Sequence, residues 1–400
     1  LGVSIREDLS MNAVTQLESE EVRIFRDMLG RFIDAEIAPD YEQWERDEII
    51  PRETWNKLGE GGFLCADIPE EYGGAGGDFA LSMAINEEFS KRGLVSVGGG
   101  MTVHSDIVAH YVLNHGSEEQ KQHYLPKMIS GECVGAIAMT EPGAGSDLQG
   151  VRTTAKLARS RDGADEWIIN GSKTFITNGQ HADVVITVAR TDPDAPGSRG
   201  LSLFLVDTDK AGFSRGRNLE KLGMHAADTS ELFYEDVRVP ADALLGELNK
   251  GFVALMTELP RERLALAVGA VAAMEGALEW TVEYVKERQA FGAPLSKLQN
   301  TRFKLAEMQT EYRLNRAFIN ECNELFSRGE LDAATASMAK FSSTEAQCRV
   351  VDGCLQMFGG YGYMTEYPIA RAYADARIQR IYGGTSEIMR ELIARDLLDN

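Results

Sequence analysis

Val184-Val185-Ile186-Thr187-Val188 and Leu201-Ser202-Leu203-Phe204-Leu205-Val206 are short runs rich in β-branched and aromatic residues, set apart by Gly, Pro, Asp and Asn, and they read as strands. Trp167-Ile168-Ile169 is a third run, and the Asn170-Gly171 pair that follows predicts a tight hairpin joining it to Thr174-Phe175-Ile176-Thr177. Outward from this block the period changes. Upstream, Val22, Phe25, Leu29, Phe32, Ile33 and Ile37 recur at helical intervals ahead of Pro39, and glycine clusters at Gly73 to Gly77 and Gly98-Gly99-Gly100 break up further helical stretches. Downstream of Pro240 the helical period returns and runs to Asn400, with loops near Gly292 and at Gly359 to Gly362. Strands gathered between two helical halves are not the β-α-β alternation of a doubly wound sheet. The chain is therefore read as α+β: a helical domain over residues 1–131, a β-barrel or sandwich over 132–245 and a helical bundle over 246–400.

Composition narrows the function. Lysine and arginine number 41 against 62 aspartates and glutamates, a formal charge of −21, which argues against nucleic acid as a partner and requires any anionic ligand to meet local cations. With 44% hydrophobic and 26% charged residues in 400, the chain can bury a substantial core, and neither a collagen-like nor a disordered class fits. No apolar run approaches the roughly 20 residues that cross a bilayer. The opening stretch, with Glu7, Asp8, Glu18, Glu20 and Glu21, is too acidic for a leader, so a bacterial cytoplasm is the expected compartment and the mitochondrial matrix the second. Cys65, Cys133, Cys322, Cys348 and Cys354 form no C-x-x-C pair and are expected to be reduced thiols. The histidines, His104, His110, His115 and His123 among them, show no metal-ligand spacing, and no metal is expected.

Three common enzyme signatures are missing: no G-x-G-x-x-G between strand and helix, no G-x-x-x-x-G-K-[ST] and no G-x-S-x-G. What stands out instead is a set of polar, glycine-rich clusters: Thr140-Glu141-Pro142-Gly143-Ala144-Gly145-Ser146-Asp147, Lys173 to Gly179, Gln356-Met357-Phe358-Gly359-Gly360 and Tyr382-Gly383-Gly384-Thr385-Ser386-Glu387. Glycine lets backbone amides come close to a phosphate, a carbonyl or the edge of a heterocycle.

Together, in this order, and with Arg288-Gln289-Ala290-Phe291-Gly292, these clusters resemble the acyl-CoA dehydrogenase family over nearly the whole chain. The family's members are flavoproteins that oxidise the Cα–Cβ bond of an acyl-CoA thioester. The resemblance implies FAD as cofactor and a C-terminal four-helix bundle. It sets Ile137, Met139, Thr140, Gly145 and Ser146 along the flavin, Phe175 over a ring face and Thr177 near the ring edge. It sends Arg288, Phe291, Gln356, Gly359 and Gly360 to the adenine-pyrophosphate end of FAD in a neighbouring subunit, while Thr385 and Glu387 contact the cofactor from their own side. A homo-oligomer follows, tetramer or dimer, with an electron-transfer flavoprotein as electron acceptor.

Removing a proton α to a thioester needs a carboxylate in an apolar pocket and donors for the carbonyl oxygen. Many family members carry that carboxylate at the loop position occupied here by Gly383, which cannot take a proton. The long-chain and isovaleryl branch supplies it from the first helix of the C-terminal bundle, where Leu259-Pro260-Arg261-Glu262-Arg263-Leu264 puts Glu262 in that place. Ala265, Gly269, Ala273 and Gly276 fall near the same helical face and are expected to leave room for an acyl chain. By resemblance, the Gly384 amide holds the thioester oxygen, Tyr382 lies against substrate, and Ser146, Arg263 and Arg395 face CoA. Val97 to Met101 and Ile381 to Gly384 resemble the long-chain branch, and a branched or terpenoid acyl-CoA is the second reading. An acyl-CoA oxidase and a non-catalytic acyl-CoA-binding protein are the rivals.

Overall fold

The helical period at Val22–Ile37 folds as α1 (Glu20–Phe32), whose first turn is capped by the Ser19 hydroxyl accepting from the Val22 N–H, and continues through one π-helical turn at Ile33–Ile37. A computed structural model describes residues 19–160 and 162–399, so the acidic opening residues Glu7, Asp8 and Glu18 lie outside the described part. Among the described residues six further helices build the N-terminal layer: α2 (Tyr41–Asp47), α3 (Arg52–Glu60), α4 (Phe79–Lys91), α5 (Val95–Met101), α6 (Ala109–His115) and α7 (Glu118–Ile129). The Gly98-Gly99-Gly100 triplet does not break a helix. It lies inside α5, where a Cβ on Gly98 would come within 2.8 Å of Phe89 Cβ and one on Gly100 within 2.9 Å of Asn178 Oδ1, so the glycines serve close packing. A π-helical stretch, Thr102–Val108, joins α5 to α6.

The middle of the chain forms one eight-stranded sheet from β1 (Gly135–Ala138), β2 (Thr154–Arg159), β3 (Asp165–Thr177), β4 (Val184–Arg190), β5 (Leu201–Asp207), β6 (Phe213–Asn218), β7 (Thr229–Pro240) and β8 (Leu244–Leu245). Its path is β6-β7-β3-β2-β4-β5-β8, with β1 parallel to β4. The unbroken apolar character of β4 and β5 has a direct cause in their two covered faces. Val184, Ile186, Val188, Leu201, Leu203 and Leu205 enter the core shared with the N-terminal helices, while Val185, Ala189, Phe204 and Val206 enter the core of the sheet itself.

The predicted Asn170-Gly171 hairpin is absent, because β3 is one 13-residue strand paired with β7 on both sides of that dipeptide. Asn170 is spent on a bulge instead. Its side chain donates to Asp236 Oδ1 and accepts from the Asp236 N–H, both at 2.9 Å, and holds Asp236 at φ 51°.

The C-terminal bundle consists of α8 (Gly251–Glu287), α9 (Gln299–Ser327), α10 (Ala333–Phe358), α11 (Pro368–Ala376) and α12 (Ser386–Asp399). By length and composition α8 could cross a bilayer, with a best-window mean hydropathy of 1.3, contrary to the reading of the bare sequence. That window is 72% buried inside the protein, so α8 is apolar because other elements surround it. The face of α8 expected to leave room for an acyl chain divides in two: Ala265 and Gly269 border a cavity, whereas a Cβ on Gly276 would sit 1.9 Å from the Lys91 carbonyl oxygen, a helix-packing contact.

Candidate active site

A cavity of about 460 Å³ opens where the three layers meet. α4 to the π-helical stretch supplies Asn86, Ser90, Val95, Gly99 and Thr102; the sheet supplies Ile137, Met139, Thr140 and Phe175 to Thr177; α8 supplies Leu259, Glu262, Arg263, Ala265 and Gly269. The loop Gln379 and Tyr382 to Gly384 and the helix α12, through Ile388, Leu392 and Arg395, close the far side.

Glu262 is only 3% exposed and lines this cavity. Tyr111 Oη donates to its Oε1 at 2.9 Å. Burial pushes its carboxyl up to about 7, with the negative Glu258 adding to the rise while Tyr111 and Arg263 oppose it. The facing loop is made for glycine. Gly383 and Gly384 have φ of 63° and 97°, and a Cβ on Gly383 would lie 2.4 Å from Leu266 Cδ1. The Gly384 carbonyl accepts from Lys340 Nζ at 2.7 Å; Lys340 is fully buried, and burial together with the nearby Arg263 charge pushes its ammonium down to about 8. Arg263 is also buried, donating to Ser337 Oγ at 3.3 Å, and is no surface cation.

The Met139 to Asp147 loop owes its shape to a buried ion pair. Lys173 Nζ donates to Glu141 Oε1 at 2.8 Å, and Glu141 also accepts from the Arg152 and Thr153 amides at 2.7 and 2.9 Å. The Thr140 hydroxyl donates to the Thr174 carbonyl, so its oxygen faces the cavity only as an acceptor. Phe175, at φ 60°, keeps its ring 69% exposed beside the cavity.

Ile137, Met139, Thr140, Gly145, Ser146, Phe175, Thr177, Glu262, Arg263, Tyr382, Gly384 and Arg395 thus come together around one cavity. Arg395 sits at its exposed rim, paired with Glu391 at 2.6 Å. Arg288, Gln356, Gly359 and Gly360 gather elsewhere, in a second cleft with Tyr284, Phe358 and Tyr361. Phe291 is 96% exposed and lines neither. Thr385 Oγ1 accepts from the Ile388 N–H at the start of α12, and Glu387 points outward beside Arg390, so neither borders the cavity of its own chain.

Three consecutive family models match this order of layers: the N-terminal domain of acyl-CoA dehydrogenase over residues 19–132, the middle domain over 136–237 and the C-terminal domain over 249–398. The chain belongs to the acyl-CoA dehydrogenase family. Among curated relatives, the long-chain specific acyl-CoA dehydrogenase of pig (Sus scrofa) mitochondria is 51% identical over 96% of this chain and 88% of its own length. Among solved structures, an acyl-CoA dehydrogenase from Geobacillus kaustophilus superposes with a TM-score of 0.91 at 48% identity, covering 96% of this chain and 99% of that one. A glutaryl-CoA dehydrogenase from Mycobacterium smegmatis, solved with FADH2, superposes with a TM-score of 0.89 at 30% identity, covering 97% of both chains.

Several residues of this family member's site carry no motif. Tyr111 and Lys340 meet Glu262 and Gly384 from sequence distances of 151 and 44 residues. Only Glu258, one helical turn before Glu262, had a spacing that could have drawn attention to it. Met224, at φ 50° in a loop of the β layer, reaches the cavity because Asp375 of α11 accepts a hydrogen bond from the Met224 N–H at 2.5 Å.

Proposed function

We propose that this chain catalyses the FAD-dependent α,β-dehydrogenation of long-chain acyl-CoA to the trans-2-enoyl-CoA, with Glu262 as the base. One observation carries the reading: a buried carboxylate, with its proton affinity raised toward neutrality, lines the same cavity as a glycine pair that has no carboxylate of its own.

The cavity suits a flavin. Phe175 offers an exposed ring face, and two buried polar atoms among its lining residues, Arg263 Nε and Gln379 Oε1, have no partner among the described residues. Ile137, Met139, Thr140, Gly145, Ser146, Phe175 and Thr177 would hold the ring system, and bound FAD supplies the acceptor for the β-hydrogen and its electron pair. Glu262 takes the α-proton, and its desolvated, partly neutral state makes it a base matched to physiological pH. The Gly384 N–H holds the thioester oxygen as negative charge develops on it, and the Lys340 ammonium on the carbonyl of the same residue fixes the loop that carries it. Tyr382 flanks the substrate, while Ser146, Arg263 and Arg395 supply hydroxyl and cationic partners for CoA.

The second cleft, with Arg288, Gln356, Gly359 and Gly360, shares no residue with the first, which supports a homo-oligomer in which one subunit's cleft serves FAD held by another; Phe291 belongs to the same exchange, while Thr385 and Glu387 approach the cofactor from their own side of the assembly. An electron-transfer flavoprotein is the proposed electron acceptor. The kinship with a long-chain specific enzyme, together with Ala265, Gly269 and Gly99 bordering the cavity, supports a long acyl chain.

The test is anaerobic titration of the yellow holoprotein with palmitoyl-CoA, which is expected to bleach the visible flavin band. Glu262→Gln is expected to keep the colour and lose the bleaching, and retained bleaching would refute the base assignment. Across C4 to C18 acyl-CoA, isovaleryl-CoA and citronellyl-CoA, kcat/KM is expected to peak at long straight chains. Turnover that yields hydrogen peroxide without any added acceptor would mark an oxidase instead.

A further inference from the structure

α6 and α8 lie side by side and are joined by two polar rungs one helical turn apart, the first buried and the second reaching the surface. On the first, Tyr111 Oη donates to Glu262 Oε1 at 2.9 Å. On the second, Asn114 Nδ2 donates to Glu258 Oε1 and Oε2 at 3.0 and 3.2 Å, and His115 Nε2 lies 3.0 Å from Glu258 Oε1. Tyr111 is fully buried and Glu258 is 6% exposed, whereas Asn114 is exposed and His115 half-buried at the end of α6; the Tyr111 and His115 rings meet at 6.0 Å and link the two rungs.

Resting on the reading of Glu262 as the base, we infer that Tyr111 and Glu258 are positioning residues that tune it in opposite senses. The phenol fixes one carboxylate oxygen and favours the ionised form, while Glu258, clamped by Asn114 and His115, is a fixed negative neighbour that favours the protonated one. Neither borders the cavity, so both act through Glu262. The phenol of Tyr111 has an ordinary proton affinity far above neutral, and burial raises it further, so it stays a donor across the working pH range.

Arg263, the next residue of α8, donates to Ser337, and its charge works in the same sense as the Tyr111 hydroxyl; Lys340 is engaged with the Gly384 carbonyl. Arg261, the preceding residue, turns away to Asp67 and Asp106, with His110 on Asp67. Asp147, Glu391 and Arg395 line the cavity at exposed positions, where water screens them.

The experiment is the pH profile of kcat/KM for palmitoyl-CoA in the flavin-loaded enzyme, which rises with pH as the base ionises. Tyr111→Phe keeps the ring and removes the donor. Its midpoint is expected to move up by about one pH unit, so that the rate falls about tenfold at pH 6 and approaches that of the unmodified enzyme at pH 9. Glu258→Gln is expected to move the midpoint down. A uniform loss of rate in Tyr111→Phe with the midpoint unmoved overturns the inference, and so does a shift of both variants in the same direction. If Tyr111→Phe does not accumulate as holoprotein, the downward shift in Glu258→Gln tests the ladder by itself. Glu262→Gln separates the two ideas: if it still bleaches, the base assignment fails. If it does not bleach and Tyr111→Phe leaves the midpoint in place, only the positioning role fails.

Discussion

Arg261 and Glu262 are neighbours on α8, both are buried, and they serve opposite ends. Arg261 turns toward the N-terminal helices, where its guanidinium meets Asp67 at 2.6 Å and Asp106 at 3.3 Å and lies over the Phe79 and Phe326 rings at 5.0 and 5.6 Å. His110 adds a contact to Asp67 at 3.0 Å, and these partners hold the Asp67 carboxyl well below the usual range despite its burial. Glu262, about one hundred degrees around the helix, is bonded to a neutral phenol, with a like charge at Glu258 and the Arg263 cation turned to Ser337, and burial carries it up to about 7. The lesson is that burial alone does not decide what a carboxylate becomes. With Arg261 and His110 in contact, Asp67 is a clasp between domains, while Asp106, farther from the same guanidinium, is still pushed up to about 6 by burial; Glu262, bonded to a neutral donor beside a cavity, is a proton acceptor.

Glu262→Gln is expected to slow flavin reduction by palmitoyl-CoA by about 10²–10⁴-fold, read by anaerobic stopped flow, with flavin content unchanged. On the other side, Arg261→Met leaves Asp67 and Asp106 buried without their cation and is expected to cost about 3–5 kcal/mol of stability, read by denaturant unfolding.

The two carboxylates respond to pH in opposite senses. Because Glu262 has a raised proton affinity in the folded protein, its ionisation opposes folding as pH rises from the ordinary carboxylate range through about 7. Glu262→Gln is therefore expected to be more stable than the unmodified chain by about 1–3 kcal/mol at pH 8, an advantage that fades by about pH 4. Asp67 works in the opposite sense: its lowered affinity gives stability above the ordinary carboxylate range that is lost on acidification.

Further along α8 the same division recurs on a smaller scale. Gly276→Ala drives a methyl into the Lys91 backbone and is expected to cost about 1–3 kcal/mol. At Gly269 the new Cβ would meet the Asn86 side-chain oxygen at 2.8 Å and Ser90 Oγ at 3.1 Å, side chains that can yield. Gly269→Ala is thus expected to spare stability and to lower kcat/KM for palmitoyl-CoA relative to octanoyl-CoA by about tenfold.

The layer order was legible because period is a local property: runs such as Val184–Val188 and the apolar spacing from Val22 to Ile37 announce strand and helix by themselves. Asn170-Gly171 misled because the same dipeptide suits a tight turn and a bulge, and long-range pairing of β3 with β7 chose between them. The glycine triplet of α5 misled because an absent side chain looks alike in a turn and in a tight helix contact.

The three-layer order, the glycine pair without a carboxylate at Gly383-Gly384 and the acidic residue at Glu262 are written in the chain as residue type and spacing. That Glu262 lies in the cavity under the Tyr111 hydroxyl while Arg261 is drawn into an ion cluster is a matter of packing between distant elements. Proton affinity depends on water excluded and charges gathered within a few ångströms, and the groups that do this for Glu262 come in part from a helix about 150 residues away, so the fold alone brings them together.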